Sequence, residues 1–142
     1  MNRSGSAVWH GGLKDGKGTV STQSTAIKDL QYSFSSRFED GVGTNPEELL
    51  GAAHAGCYSM ALSAQFTEAG LKPETIETTA LVTLEILKDG GPTITKIHLT
   101  TKVTAPGVDK AKFDELAHNA KVGCPLSKVL KAAEITLDAQ LV

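Results

Sequence analysis

Cysteine and arginine, two residue types that carry chemistry, are both scarce in this chain. Of its 142 residues two are cysteine, Cys57 and Cys124, and two are arginine, Arg3 and Arg37. Two cysteines exclude a disulfide-dense scaffold. There is no CxxC pair, and among His10, His54, His98 and His118 the only suggestive spacing is His54 to Cys57, so a metal site has little support. Basic residues form no run or stripe, and a net charge of −2 argues against a nucleic-acid partner. No apolar stretch reads as a membrane span. The longest, 46–70, carries Glu47, Glu48, His54, Gln65 and Glu68. The start, MNRSGSAVWHGG, has no apolar core of a secretory signal. A cytoplasmic location is therefore expected, where a stable structural disulfide is not. P-loop, dinucleotide fingerprint and serine-hydrolase signatures are missing too, as are repeats, low-complexity tracts and linkers.

What is present is an ordinary globular composition, 40% hydrophobic and 21% charged, at a length that fits one domain over residues 1–142. Three short strands are expected first: around Ala7–Trp9, over Thr19–Thr22, and through the alternation Tyr32, Phe34, Ser36, Phe38. Asn45 then caps a helix, with Pro46 at its first position and Glu48 as capping-box partner, and Gly70 ends it. Alternating apolar residues from Ile76 to Ile86 and from Ile97 to Val103 flank the turn Asp89-Gly90-Gly91-Pro92. Asp109 caps a helix with Phe113, Leu116 and Ala117 inward, Cys124-Pro125 opens a short one, and Ile135 to Leu141 form a last strand. The order βββ-α-ββ-αα-β indicates an α+β fold, with antiparallel sheet packed on a buried helix.

The central helix has few charges after Glu48, so burial on all sides is expected. Its run Gly51-Ala52-Ala53 with Ala55-Gly56 lets another backbone approach. The candidates are a crossing helix, which the same helix of a second chain can supply, or simply a crowded core. Cys57 sits in the middle of this helix. By itself it reads as a small packed hydrophobe, and a reactive thiol needs a cation or donor beside it. Arg37, just before the helix, suits a fixed pair with a carboxylate. If Glu48 serves the cap, Glu47 is free to hold the guanidinium, about 80° round the helix from Cys57. A solvated pair of Arg37 with Glu39 or Asp40 stays open. Cys124, as N-cap before Pro125, occupies a position that favours thiolate.

Three segments carry a resemblance: AVWHGGLKDGKG, YSFSSRFEDGVGTNPEELLGAAHAGCYSMAL and KVGCPLSKVL. Together they resemble the OsmC/Ohr family (osmotically inducible protein C and organic hydroperoxide resistance proteins) over nearly the whole chain, and most closely its OsmC branch. In the Ohr branch the active arginine comes from the first strand region, where this chain has Lys14 and Lys17, which points to Arg37 here. The resemblance implies antiparallel sheets wrapped around a buried central helix in an intertwined homodimer, and a thiol-dependent peroxidase without metal, haem, flavin or selenium. It implies Cys57 as the peroxidatic cysteine, Cys124 as the resolving one with a Cys57–Cys124 disulfide between turnovers, Arg37 as the thiolate's cation and Glu47 as its holder. Organic hydroperoxides or hydrogen peroxide are the implied substrates and a lipoyl-type dithiol the implied reductant. A pocket near Phe34, Phe38 and Met60 would suit an organic tail. The competing readings are a binder of a small apolar ligand with passive cysteines, and a stress protein with no site.

Overall fold

The computed structural model describes residues 1–142, which divide into two units, Met1–Leu49 and Leu50–Val142. The first unit is an antiparallel meander of β1 (Gly5–His10), β2 (Lys17–Thr22) and β3 (Leu30–Ser33) followed by a short helix, α1 (Phe34–Phe38). The third strand is therefore shorter than the alternation predicted, and Phe34–Phe38 is helical. The reason is local. Ser33 caps the turn by accepting from the Ser36 amide at 3.2 Å, while the Ser33 amide donates back to the Ser36 hydroxyl at 2.9 Å. Phe34 and Phe38, spaced four apart, then stack with centroids 4.9 Å apart, so apolar residues placed for alternation serve a helical pair equally well.

Helix α2 (Pro46–Glu68) begins in the last residues of this unit and supplies the spine of the next. Asn45 caps it, taking the Glu48 amide on its side-chain oxygen at 2.9 Å. The reciprocal half of the expected capping box is missing, because the Glu48 carboxylate accepts the Thr44 hydroxyl instead. At the other end Gly70 takes φ +71°, and the amides of Gly70 and Leu71 return to the carbonyls of Thr67 and Phe66. That is the Schellman closure, and Leu71 packs into the same cluster as Phe66.

The second unit packs α2 with β4 (Thr75–Leu87), β5 (Gly91–Thr104), α3 (Lys110–Gly123), α4 (Pro125–Val129) and β6 (Glu134–Leu141). Strands β4 and β5 form the expected antiparallel hairpin. Strand β6, however, pairs with β5 in parallel, so this sheet is mixed rather than antiparallel. A parallel neighbour needs a long crossover, and residues 105–133, holding α3 and α4, provide it. The core lies between sheet and helices: Tyr58, Leu62 and Phe66 of α2 meet Leu99 and Val103 of β5 and Phe113, Leu116 and Ala120 of α3.

In the chain α2 is buried along one stripe, Gly51, His54, Tyr58, Leu62 and Phe66, rather than on all sides. Ala52, Ala53, Gly56, Met60 and Ala64 are exposed. Within the chain, the close approach expected of the Gly/Ala run occurs at Gly51, where the approaching backbone is that of a strand. A Cβ at Gly51 would stand 3.0 Å from the Ala80 carbonyl oxygen of β4.

A methyl at Gly70 meets no neighbour, so its cost is conformational. Gly70→Ala should lose about 1–2 kcal/mol in denaturant unfolding, and Gly70→Asn distinctly less, because asparagine tolerates the left-handed region better.

Candidate active site

Two clusters of chemically competent side chains stand out, one in each unit. In the first, Arg37 lies in the last turn of α1 and Glu47 in the first turn of α2. The guanidinium lies against the carboxylate: Nη2 donates to Oε1 at 2.8 Å, and Nε stands 3.2 Å from both Oε1 and Oε2. Asn45 fixes the geometry from behind, since its side-chain amide donates to the Ser36 carbonyl of α1 at 3.1 Å. The arginine therefore pairs with Glu47 and with none of Glu39, Asp40 or Glu48. Its guanidinium carbon also stands 5.1 Å from the Phe38 ring centroid, a cation–π contact. With the Arg37 side chain 36% exposed, the pair contributes no more than about 1 kcal/mol to folding, and its larger effect is to aim the fork. Nη1 makes no hydrogen bond within the chain, which leaves a donor pair for something else.

The same arginine borders an apolar groove of about 210 Å³ lined by Trp9, Leu13, Tyr32, Phe34 and Phe38. Expected as a strand residue facing away from Tyr32 and Phe34, Arg37 shares the groove with both because α1 is a helix. Of the anticipated pocket residues, Phe34 and Phe38 line it and Met60 does not.

In the second unit, Cys57 of α2 and Cys124 meet with their sulfurs 2.9 Å apart, both as free thiols. Cys124 ends α3 and precedes Pro125, the first residue of α4. Cys124 has no exposed surface, whereas Cys57 is only half-buried. Burial pushes the Cys57 thiol up, the adjacent Cys124 thiol adds to this, and the Leu126 main-chain amide pulls the other way by donating to the sulfur. Thiolate formation at Cys57 therefore calls for a cation or further donor beside the sulfur.

Beside the thiols lies a contact between residues that local sequence cannot pair. His54 of α2, fully buried, has its Nε2 2.8 Å from the Ser127 hydroxyl of α4, while its Nδ1 has no partner in the chain. Considered only as a metal ligand from its spacing to Cys57, His54 is a hydrogen-bonding core residue. The one cue in the sequence is symmetry: His54 stands three before one cysteine and Ser127 three after the other.

The family model for OsmC-like proteins matches residues 38–139. Peroxiredoxin OsmC of Escherichia coli K12 is 54% identical over 141 residues, spanning 99% of this chain and 97% of its own. The organic hydroperoxide resistance protein OhrA of Bacillus subtilis is 35% identical over 96 residues, 67% of this chain and 66% of its own. Among solved structures, the OsmC-like protein from Mycoplasma pneumoniae superposes with a TM-score of 0.80 over 100% of this chain and 98% of its own, at 14% identity, a likeness of fold. No helix is long and apolar enough to cross a membrane.

Burial holds His54 below the ordinary imidazole value of 6.5. The unfolded chain then takes up this proton before the folded one does. Its contribution to stability is complete above that pH and declines as pH falls below it. Denaturant unfolding at pH 7 and pH 5 should show a smaller acid-side loss for His54→Gln than for the parent; equal losses would refute the assignment.

Proposed function

The chain belongs to the OsmC-like protein family, and from that membership and its paired thiols we propose that it is a thiol-dependent peroxidase acting on organic hydroperoxides. The observation that carries this reading is the 2.9 Å contact between a half-exposed thiol and a fully buried one. The half-exposed sulfur is the one a peroxide meets first, and the buried one is in place to trap the product.

In this reading the Cys57 thiolate attacks the distal peroxide oxygen. The O–O bond breaks, the alkoxide leaves as alcohol after taking a proton, and Cys57 becomes a sulfenic acid. The Cys124 sulfur displaces the sulfenic oxygen, which departs as water with the thiol proton, and the disulfide forms. A lipoyl-type dithiol restores both thiols by exchange. Arg37 is assigned to the thiolate and the peroxide, with Glu47 presenting it. The free Nη1, beside a guanidinium held by Glu47, leaves a donor pair for an anion and supports that assignment. Residues 1–142 act as one functional domain, and the working unit is a homodimer. The exposed small face of α2, with Met60 77% exposed, supports a second chain packing there. A reducing cytoplasm, which returns two close thiols to the reduced state between turnovers, suits this cycle.

Mass spectrometry after one equivalent of cumene hydroperoxide should find the chain lighter by both thiol hydrogens, with Cys57 and Cys124 joined. Cys57→Ser should consume no peroxide. Saturable ligand binding indifferent to that change, with both thiols intact, would instead mark a passive carrier. Arg37→Ala should slow peroxide consumption by roughly a hundredfold and move the pH profile of Cys57 alkylation to higher pH, because the charge favouring thiolate is gone. Met60→Glu should yield monomers in sedimentation velocity.

A further inference from the structure

We propose that His54 and Ser127 are positioning residues for the closing step, holding α4 so that Cys124 meets the oxidised Cys57. The inference rests on the peroxidase reading and adds to it a pair of residues outside the four assigned above.

Helices α2 and α4 touch through two rungs of equal spacing. His54 and Cys57 are three apart on α2, and so share a face. Cys124 and Ser127 are three apart across the first turn of α4. One rung joins the two sulfurs at 2.9 Å, and the other joins Nε2 to Oγ at 2.8 Å. The second rung is almost wholly out of water, with His54 0% and Ser127 6% exposed. Since Nδ1 has no partner, Ser127 is the ring's only polar tie in the chain.

Helix α4 has five residues, too few to hold a helical turn alone. Leu126 packs it against the core, but apolar packing tolerates sliding and rotation, whereas a buried hydrogen bond fixes direction. Once Cys57 carries the sulfenic oxygen, the thiol contact is itself disrupted. The Leu126 amide donates to that same sulfur, so the histidine–serine rung is the directional tie between the helices that does not involve the oxidised atom. Closure then forms the S–S bond and breaks the S–O bond, with the oxygen leaving as water; no further oxidant enters.

The test follows both steps in single turnover with cumene hydroperoxide, measuring peroxide loss for the first and disulfide by mass for the second. Ser127→Ala should oxidise Cys57 at nearly the parental rate but close the disulfide roughly tenfold more slowly, as expected for one lost hydrogen bond. The sulfenic acid should accumulate as its dimedone adduct and go on to sulfinic acid in excess peroxide. Ser127→Thr, which keeps the hydroxyl, should restore closure. His54→Gln, with an amide in place of Nε2, should fall between them and keep the proposal testable if Ser127→Ala does not fold. Closure at the parental rate in Ser127→Ala and His54→Gln would overturn the proposal. So would an equal slowing of both steps, the mark of a merely structural role. A parent chain that never forms the disulfide would overturn the peroxidase reading instead, and this one with it.

Discussion

A helix of five residues does not persist alone in water, because ordering its first turn costs more than so few hydrogen bonds return. Helix α4 is such a helix, and its docking on the middle of α2 is the contact on which the paired thiols depend. Leu126 goes into the core, Cys124 comes against Cys57, and Ser127 meets a buried histidine. Pro125 favours the docked form, since its missing amide would have no partner at the first helical position in any case.

The rest of the second unit sets up that meeting. Strand β6 runs parallel to β5, so the chain must travel back along the sheet between them, and α3 makes the return. Asp109 starts α3 by accepting the Lys112 amide at 2.9 Å, and Phe113, Leu116 and Ala120 clamp it to Leu99 and Val103. The first unit does for its arginine what the second does for its thiols. Two serines at the start of α1 and the cap of α2 fix both ends of the segment that carries Arg37, so the guanidinium is presented to the groove at Trp9 and Tyr32 in one orientation.

Much of this was legible in the residues, for reasons that can be named. The start of α2 follows from Asn45-Pro46, its end from Gly70, the start of α3 from Asp109 and the β4–β5 turn from Asp89-Gly90-Gly91. Each is a short-range signal with one favoured geometry. The choice of Glu47 over Glu48 as the partner of Arg37 followed from assigning Glu48 to the helix start. Arg37 does pair with Glu47, although Glu48 serves Thr44 rather than a full capping box. What failed was ambiguous in period or in direction. Tyr32, Phe34, Ser36 and Phe38 fit an alternating strand, but Phe34 and Phe38 equally fit one helical face, and the serines decided between them. Alternation in Ile135–Leu141 marks a strand without saying which way its neighbour runs. Contacts across long stretches of chain, the thiols among them, have no local signature at all, and a family resemblance supplied what periodicity does not.

The separation of the two cysteines along the chain has a consequence of its own. They stand 67 residues apart, so joining them ties off nearly half of the polypeptide as a ring. A ring of that size removes chain entropy from the unfolded ensemble and, by loop closure alone, favours the folded state by about 4 kcal/mol. The same free energy favours the closed bond within the folded protein. In the proposed cycle, turnover then alternates a less stable dithiol form with a more stable, ring-closed one. In that same cycle, the partner that reopens the ring has to offset that advantage.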